Sequence, residues 1–304
     1  MRHTYIGLGI FATILLYYPG HNSFQTKIVK TGESKVKGVN IEIEKNDLPT
    51  IRKDIIYPEI SATAAIAIDP KSSVVLFEKN SDVRKLPAST TKIMTALVVL
   101  DEYDLGDVIT IGNENLSIGN KSYLVRGERI TVINLLYALL VSSGNDAALA
   151  LAQNHPKGYN FFISQMNQKA KDLHLKNSNF TNVSGLEQPN HYMSARDLAI
   201  LTKEALKNNI ILDVVSTKRI FIESIEGDQV HVLENTNELL GKIDGLMGVK
   251  TGWTFRAGEC LVSYIERDGR EAILVILESN DRFGESEKII DWIYSNYEWI
   301  SFPI

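Results

Sequence analysis

Two kinds of hydrophobic period divide this chain, and their order restricts its fold more than any single residue does. Ala64–Ile68 and Val74–Phe77 read as the strands of a hairpin turned at Asp69-Pro70-Lys71-Ser72. Helical spacing then takes over. It predicts helices over Ser89–Tyr103 (Ile93, Ala96, Leu97 and Leu100 on one face), Thr131–Leu140, Asn145–Gln153, Tyr159–Leu173 and Ser194–Lys207. Ser194-Ala195-Arg196-Asp197 opens the last of these as a capping box with Asp in place of Glu. After residue 216 apolar residues alternate again. Arg219–Ile225 pairs with Val230–Leu233, Met247–Thr251 follows, and Glu259–Arg267 with Glu271–Glu278 forms a hairpin at Asp268-Gly269. A closing helix is expected from Glu285 to about Trp299. Strands from both ends must meet across the helical block, so the expected class is α/β of the α+β type: an antiparallel sheet from both chain ends packed with helices.

The segment before this domain differs in character. Arg2 and His3 precede an apolar run from Tyr5 to Tyr18 that Pro19-Gly20 breaks. A basic start and a short apolar run outline an export signal, shorter than the roughly 17–25 residues of a spanning helix. No small-x-small cleavage site follows, which favours an uncleaved anchor over a removed signal; a buried core helix is the bland alternative. Residues 21–58 mix charges of both signs (Lys27, Lys30, Glu33, Lys35, Glu42, Glu44) and read as a polar linker with a short strand at Val39–Ile43. The expected organisation is a signal or anchor over 1–20, a linker over 21–58 and a catalytic domain over 59–304, with no room for a second C-terminal domain. Location is then exported: the outer face of the cytoplasmic membrane, the periplasm or the cell wall. A net charge of -5 gives no reason to expect nucleic acid. The single cysteine, Cys260, sits in an apolar strand-like run and excludes an internal disulfide; it reads as core.

Three short blocks carry chemistry. In Ser89-Thr90-Thr91-Lys92 residues three apart share a helix face, so the Lys92 amine can reach the Ser89 hydroxyl. A helix N-terminus, burial and a neighbouring cation all favour a neutral amine, the form that can act as base. Ser143-Gly144-Asn145 joins two helices, a place where side chains point into a cleft; Ser143 can relay protons, and Asn145 can hold Lys92 and a substrate carbonyl. Helix capping is the competing reading of this triplet. Lys250-Thr251-Gly252 closes a strand. Lys250 offers positive charge, Thr251 a hydroxyl for a carboxylate, and Gly252 close approach, while the Trp253 amide can pair with that of Ser89 as an oxyanion hole. Together these are the parts for acyl transfer through a serine ester with no metal and no cofactor. Chance matches occur in the linker, Ser34-Lys35-Val36-Lys37 and Lys30-Thr31-Gly32, where nothing can orient a reactive group. No H-E-x-x-H or G-x-S-x-G is present. His191 is the one histidine placed where it can touch a cleft.

In this order the blocks resemble the active site of the penicillin-recognising serine enzymes. More narrowly, the chain resembles the low-molecular-mass penicillin-binding proteins of the D-alanyl-D-alanine carboxypeptidase family. The likeness runs from about Ser61 to Glu278 and includes Leu86–Ala96, Ser143–Ala148, Phe180-Thr181-Asn182 with Ser184-Gly185-Leu186, Ser194–Ala199, and Gly248–Thr254 with Ala257-Gly258. It implies a penicillin-binding-protein/β-lactamase-like fold. It also implies Ser89 as acyl-ester nucleophile, Lys92 as base, Ser143 as proton relay and Lys250 as substrate-binding cation. The implied reaction removes the terminal D-alanine of the peptidoglycan stem pentapeptide, and β-lactams would form stable adducts. Thr236, in Asn235-Thr236-Asn237, stands where some relatives carry an arginine; if that arginine grips the substrate carboxylate, Thr251 and Arg256 must do so here. A β-lactamase is disfavoured because no Glu-x-x-Leu-Asn element is present. A D,D-endopeptidase uses the same parts, and a non-catalytic wall-binding protein is the reading from another class.

Overall fold

The computed structural model describes residues 47–52, 55–113 and 117–301. The expected anchor over 1–20, the strand at Val39–Ile43 and the two chance motifs lie outside them. Its centre is a five-stranded antiparallel sheet in the order β3-β2-β10-β9-β8. These strands are β2 (Ala64–Ile68), β3 (Val75–Lys79), β8 (Leu246–Thr254), β9 (Gly258–Arg267) and β10 (Arg270–Ser279). β2 pairs with β10, joining the two ends of the domain as the order of periods requires, with Ile66 opposite Val275.

Alternation decides what each sheet face covers. Ala64, Ile66, Ile68, Ile273, Val275 and Leu277 turn toward the helical block. Ala65, Ala67, Ala272, Leu274 and Ile276 turn the other way, onto Ile289, Ile290 and Ile293 of the last helix. The sheet is therefore buried on both faces, which explains why β2 reads as an unbroken apolar run.

The helices are α1 (Lys92–Glu102), α2 (Val132–Leu140), α3 (Asn145–Gln153), α4 (Tyr159–Asp172), α5 (Ala195–Ala205), α6 (Asn209–Ser216) and α7 (Arg282–Asn296). A 3₁₀ turn, Ala88–Thr91, leads into α1. α1 is buried over every residue from Lys92 to Val99. The expected one-sided helix is thus the core of the block, with α2, α4 and α5 packed round it. Ser194 Oγ accepts the Asp197 N–H at 3.1 Å, half of the expected capping box. The Asp197 carboxylate turns instead to the amide of Asn177 and the hydroxyl of Ser178.

Three smaller ribbons complete the architecture. β4 (Val108–Thr110) pairs with β5 (Arg129–Thr131), and β6 (Arg219–Glu223) with β7 (Val230–Glu234). β1 (Asp47–Ile51) pairs with β11 (Tyr297–Ser301). Two sequence readings are corrected here. The folded part includes Asp47–Ile51, inside the stretch read as linker. The closing helix ends at Asn296, and Tyr297–Ser301 is a strand. The Trp299 indole N–H donates to Asp69 Oδ2 and the Tyr297 hydroxyl to Leu76 O, each at 2.8 Å. Long-range bonds of this kind override a local helical pattern.

Candidate active site

Ser89 lies in the 3₁₀ turn at the floor of a cleft of about 520 Å³. One wall is β8, an outer strand of the sheet. The other is built from Gly119, Asn120, Ser143, Asn145 and residues 184–186. The Lys92 amine is wholly buried beneath Ser89. Its Nζ lies 3.0 Å from Ser89 Oγ, 2.6 Å from Asn145 Oδ1 and 2.9 Å from the carbonyl oxygen of Ser184.

This geometry can accommodate a neutral amine. Asn145 Oδ1 and Ser184 O can only accept, so they take two N–H bonds. A neutral amine then has one lone pair left, which can accept from the Ser89 hydroxyl 3.0 Å away. Burial, and next the charge of Lys250, hold Lys92 well below the ordinary lysine range; the Asp146 carboxylate opposes them.

Asn145 is fixed by the loop above it, because its Nδ2 donates to Ile118 O at 2.6 Å. Its neighbour Asp146, fully buried, accepts from the amides of Ser122 and Leu124, so the start of α3 holds the cleft wall as well as the amine. Ser143 lines the cleft with positive φ (62°), and its buried Oγ meets no hydrogen-bond partner among the described residues. That hydroxyl has its proton and lone pairs available to a ligand.

β8 presses against the nucleophile. A Cβ at Gly252 would lie 3.0 Å from Ala88 Cβ and 3.1 Å from Ser89 N, so glycine lets the strand approach. Trp253, next along the strand, lines the cleft together with Ser89. Lys250 is buried, and desolvation, with the Arg282 charge second, pushes its pKa down to about 7. Thr236 Oγ1 lies 3.4 Å from Lys250 Nζ and 2.5 Å from Thr251 Oγ1, chaining these three residues at one end of the cleft.

The structure thus brings Ser89, Lys92, Ser143, Asn145, Lys250, Thr251 and Trp253 to one cleft. One other expectation is corrected. Arg256 does not line it; its amide donates to Glu187 Oε1 and its side chain faces a separate groove. The arginine in the cleft is Arg282, at the start of α7, which donates to Gly252 O at 2.9 Å and whose buried Nε has no partner among the described residues. No local motif marks it. His191 also stays out of the cleft. Its Nδ1 accepts the Thr181 amide, so Nε2 carries the hydrogen and donates to Thr91 Oγ1 at 2.9 Å. Burial lowers its pKa to about 4, keeping this brace neutral. Cys260 is buried as expected, and burial pushes its thiol up to about 11.

Residues 51–281 match the peptidase S11 family, D-alanyl-D-alanine carboxypeptidase. The chain belongs to this family. It is 36% identical over 246 residues to D-alanyl-D-alanine carboxypeptidase DacF of Bacillus subtilis, covering 78% of this chain and 63% of that protein. It is 33% identical to a D-alanyl-D-alanine carboxypeptidase of Streptomyces, covering 78% of this chain and 89% of that one. The chain therefore spans less than two thirds of the Bacillus relative and most of the Streptomyces one. The crystal structure of the Streptomyces K15 DD-transpeptidase superposes with a TM-score of 0.76 at 32% identity, over 79% of this chain and 100% of that one. Among the described residues no helix is long and apolar enough to cross a membrane.

Proposed function

We propose that this S11-family domain is a serine D-Ala-D-Ala carboxypeptidase that removes the terminal D-alanine from peptidoglycan stem peptides. The observation that carries the reading is the buried Lys92 amine, held by Asn145 Oδ1 and Ser184 O and set 3.0 Å from Ser89 Oγ. Ser89 Oγ attacks the carbonyl carbon of the penultimate D-alanine while its proton passes to Lys92. The amides of Ser89 and Trp253 receive the oxyanion. The C–N bond then breaks, and the departing D-alanine amine takes a proton from Lys92 through Ser143. Thr251, the charge of Lys250 and the guanidinium of Arg282 hold the carboxylate of the leaving residue. Water, activated by the same lysine, hydrolyses the ester. A β-lactam enters the same sequence and leaves its ring-opened acyl group on Ser89.

The substrate is a wall polymer, so the domain acts outside the cytoplasmic membrane, tethered through its N-terminal segment. Incubating the purified domain with muropeptides and weighing the products tests the reading. Loss of one alanine from pentapeptides supports it. Cleavage of cross-linked dimers alone replaces it with an endopeptidase, and failure of fluorescent penicillin to label Ser89 removes it.

A further inference from the structure

Three large apolar side chains stay exposed where the cleft opens past the nucleophile: Trp253 (61%), Phe255 (91%) and Leu186 (39%). All three line the same cavity as Ser89. An apolar ring left in water at the mouth of a cleft forgoes the gain of burial until a ligand covers it.

These side chains are presented by anchored backbone. Trp253 belongs to β8, whose pairing with β9 continues to Thr254 opposite Gly258. Phe255 begins the turn that follows, and that turn is tied to the other wall. The Glu187 carboxylate accepts the Arg256 amide at 2.9 Å and the Thr254 hydroxyl, while Thr254 Oγ1 accepts the Ala257 amide at 3.0 Å. Glu187 directly follows Leu186, three residues after the Ser184 carbonyl that holds Lys92. One strap thus joins the two walls that carry the three side chains.

Order along β8 decides which part of a ligand they meet. Thr251 stands where Thr236 and Lys250 gather, the end proposed for the carboxylate of the leaving residue. Trp253 is two residues further on, hence on the same face of the strand as Thr251, and Phe255 lies beyond it. The rings therefore flank the acyl side of the bond that Ser89 attacks, away from the leaving group.

We infer that Trp253, Phe255 and Leu186 form an aromatic subsite that takes a planar apolar substituent on the acyl side of the ligand, such as the aryl ring of a penicillin side chain. The inference rests on the proposed carboxypeptidase reading and adds a specificity determinant to its site. A ligand ring can pack offset or edge-to-face on the two aromatic side chains, with Leu186 as the opposite wall.

The test uses two penicillins that differ only in the side chain: benzylpenicillin, with a phenylacetyl group, and the acetyl analogue, which keeps the amide and lacks the ring. Intact-mass time courses give the second-order rate constant for acylation of Ser89. The wild-type protein should prefer the phenylacetyl compound by about tenfold, as befits burial of one ring. In Phe255→Ser the preference should fall severalfold, and in Trp253→Ala/Phe255→Ser the two compounds should react alike. The ratio cancels any effect of the substitutions on the chemistry that both compounds share. Equal rates in the wild type overturn the inference, as does a preference that survives in the double variant. Wild-type acylation by the acetyl analogue and release of D-alanine from peptides report on the parent reading separately. If both proceed while the two penicillins react alike, only the subsite falls; if neither proceeds, the carboxypeptidase reading falls and the subsite with it.

Discussion

The carbonyl oxygen of Ser184 accepts a hydrogen bond from Lys92 Nζ at 2.9 Å, bringing a backbone group 92 residues away in sequence into the catalytic constellation. That carbonyl is held in place by a small knot. Asn182 Oδ1 accepts from the amides of Ser184 and Gly185, and its Nδ2 donates to Leu186 O. Gly185 has φ of 85°, and a Cβ there would come within 1.7 Å of Ala88 O. Gly185→Ala must therefore displace either the Ser184 carbonyl or the turn carrying Ser89. Acylation by fluorescent penicillin should fall by at least about 100-fold, with Tm several degrees lower. Wild-type labelling by this variant would show that the loop does not position the amine.

Asn145 joins the amine to the cleft wall, accepting from Lys92 and donating to Ile118 O. Asn145→Ala removes an acceptor that favours the productive orientation of the neutral amine. Its acylation rate should drop by about 100-fold or more. Far-ultraviolet circular dichroism should remain that of the wild type, since the helix start keeps the buried Asp146.

Among the described residues no carboxylate pairs with the Arg282 guanidinium, which the proposed mechanism assigns to the carboxylate of the leaving residue. Arg282→Leu should raise KM for D-Ala-D-Ala peptides by roughly 10-fold or more and leave kcat within a few-fold. A fall in kcat with unchanged KM would place the arginine in the transition state rather than in substrate capture.

The pH dependence has two limbs with opposite causes. In the proposed mechanism Lys92 works as the free amine, so kcat/KM must fall as acid protonates it. Lys250 there works as the cation, and its pKa is lowered to about 7, so kcat/KM must also fall as pH rises through that value. Lys250→Arg keeps the charge to far higher pH, because guanidinium does not titrate in this range. The alkaline limb should move out of the accessible range while the acid limb stays. An unchanged alkaline limb would assign it to another group.

What the sequence revealed divides along contact range. Ser89 with Lys92, and Ser143 with Asn145, lie within one helical turn or one interhelical turn, so their spacing states their geometry. Lys250 and Thr251 are legible from the Lys250-Thr251-Gly252 triplet that closes a strand. The Ser184 carbonyl leaves no side-chain signature, and Arg282 reaches the cleft only because β10 ends where α7 begins. The pairing of Asp47–Ile51 with Tyr297–Ser301 joins the two extremes of the folded part. Each strand alone is short, one amid charges and the other continuing a helical pattern, so neither declares itself. The Asn209–Ser216 helix leaves little sequence signature for a related reason: eight residues give too few turns to separate helix from buried strand.

The sharpest test replaces Lys92 with cysteine, in a Cys260→Ala background, and aminoethylates it. This rebuilds a primary amine of the same reach but lower basicity. Intact-mass measurement of penicillin acylation should find activity lost in the cysteine variant and restored by alkylation, with the acid limb displaced to lower pH. Restoration with an unmoved limb, or undiminished acylation by the cysteine variant itself, would contradict a proton transfer from Ser89 to the buried amine.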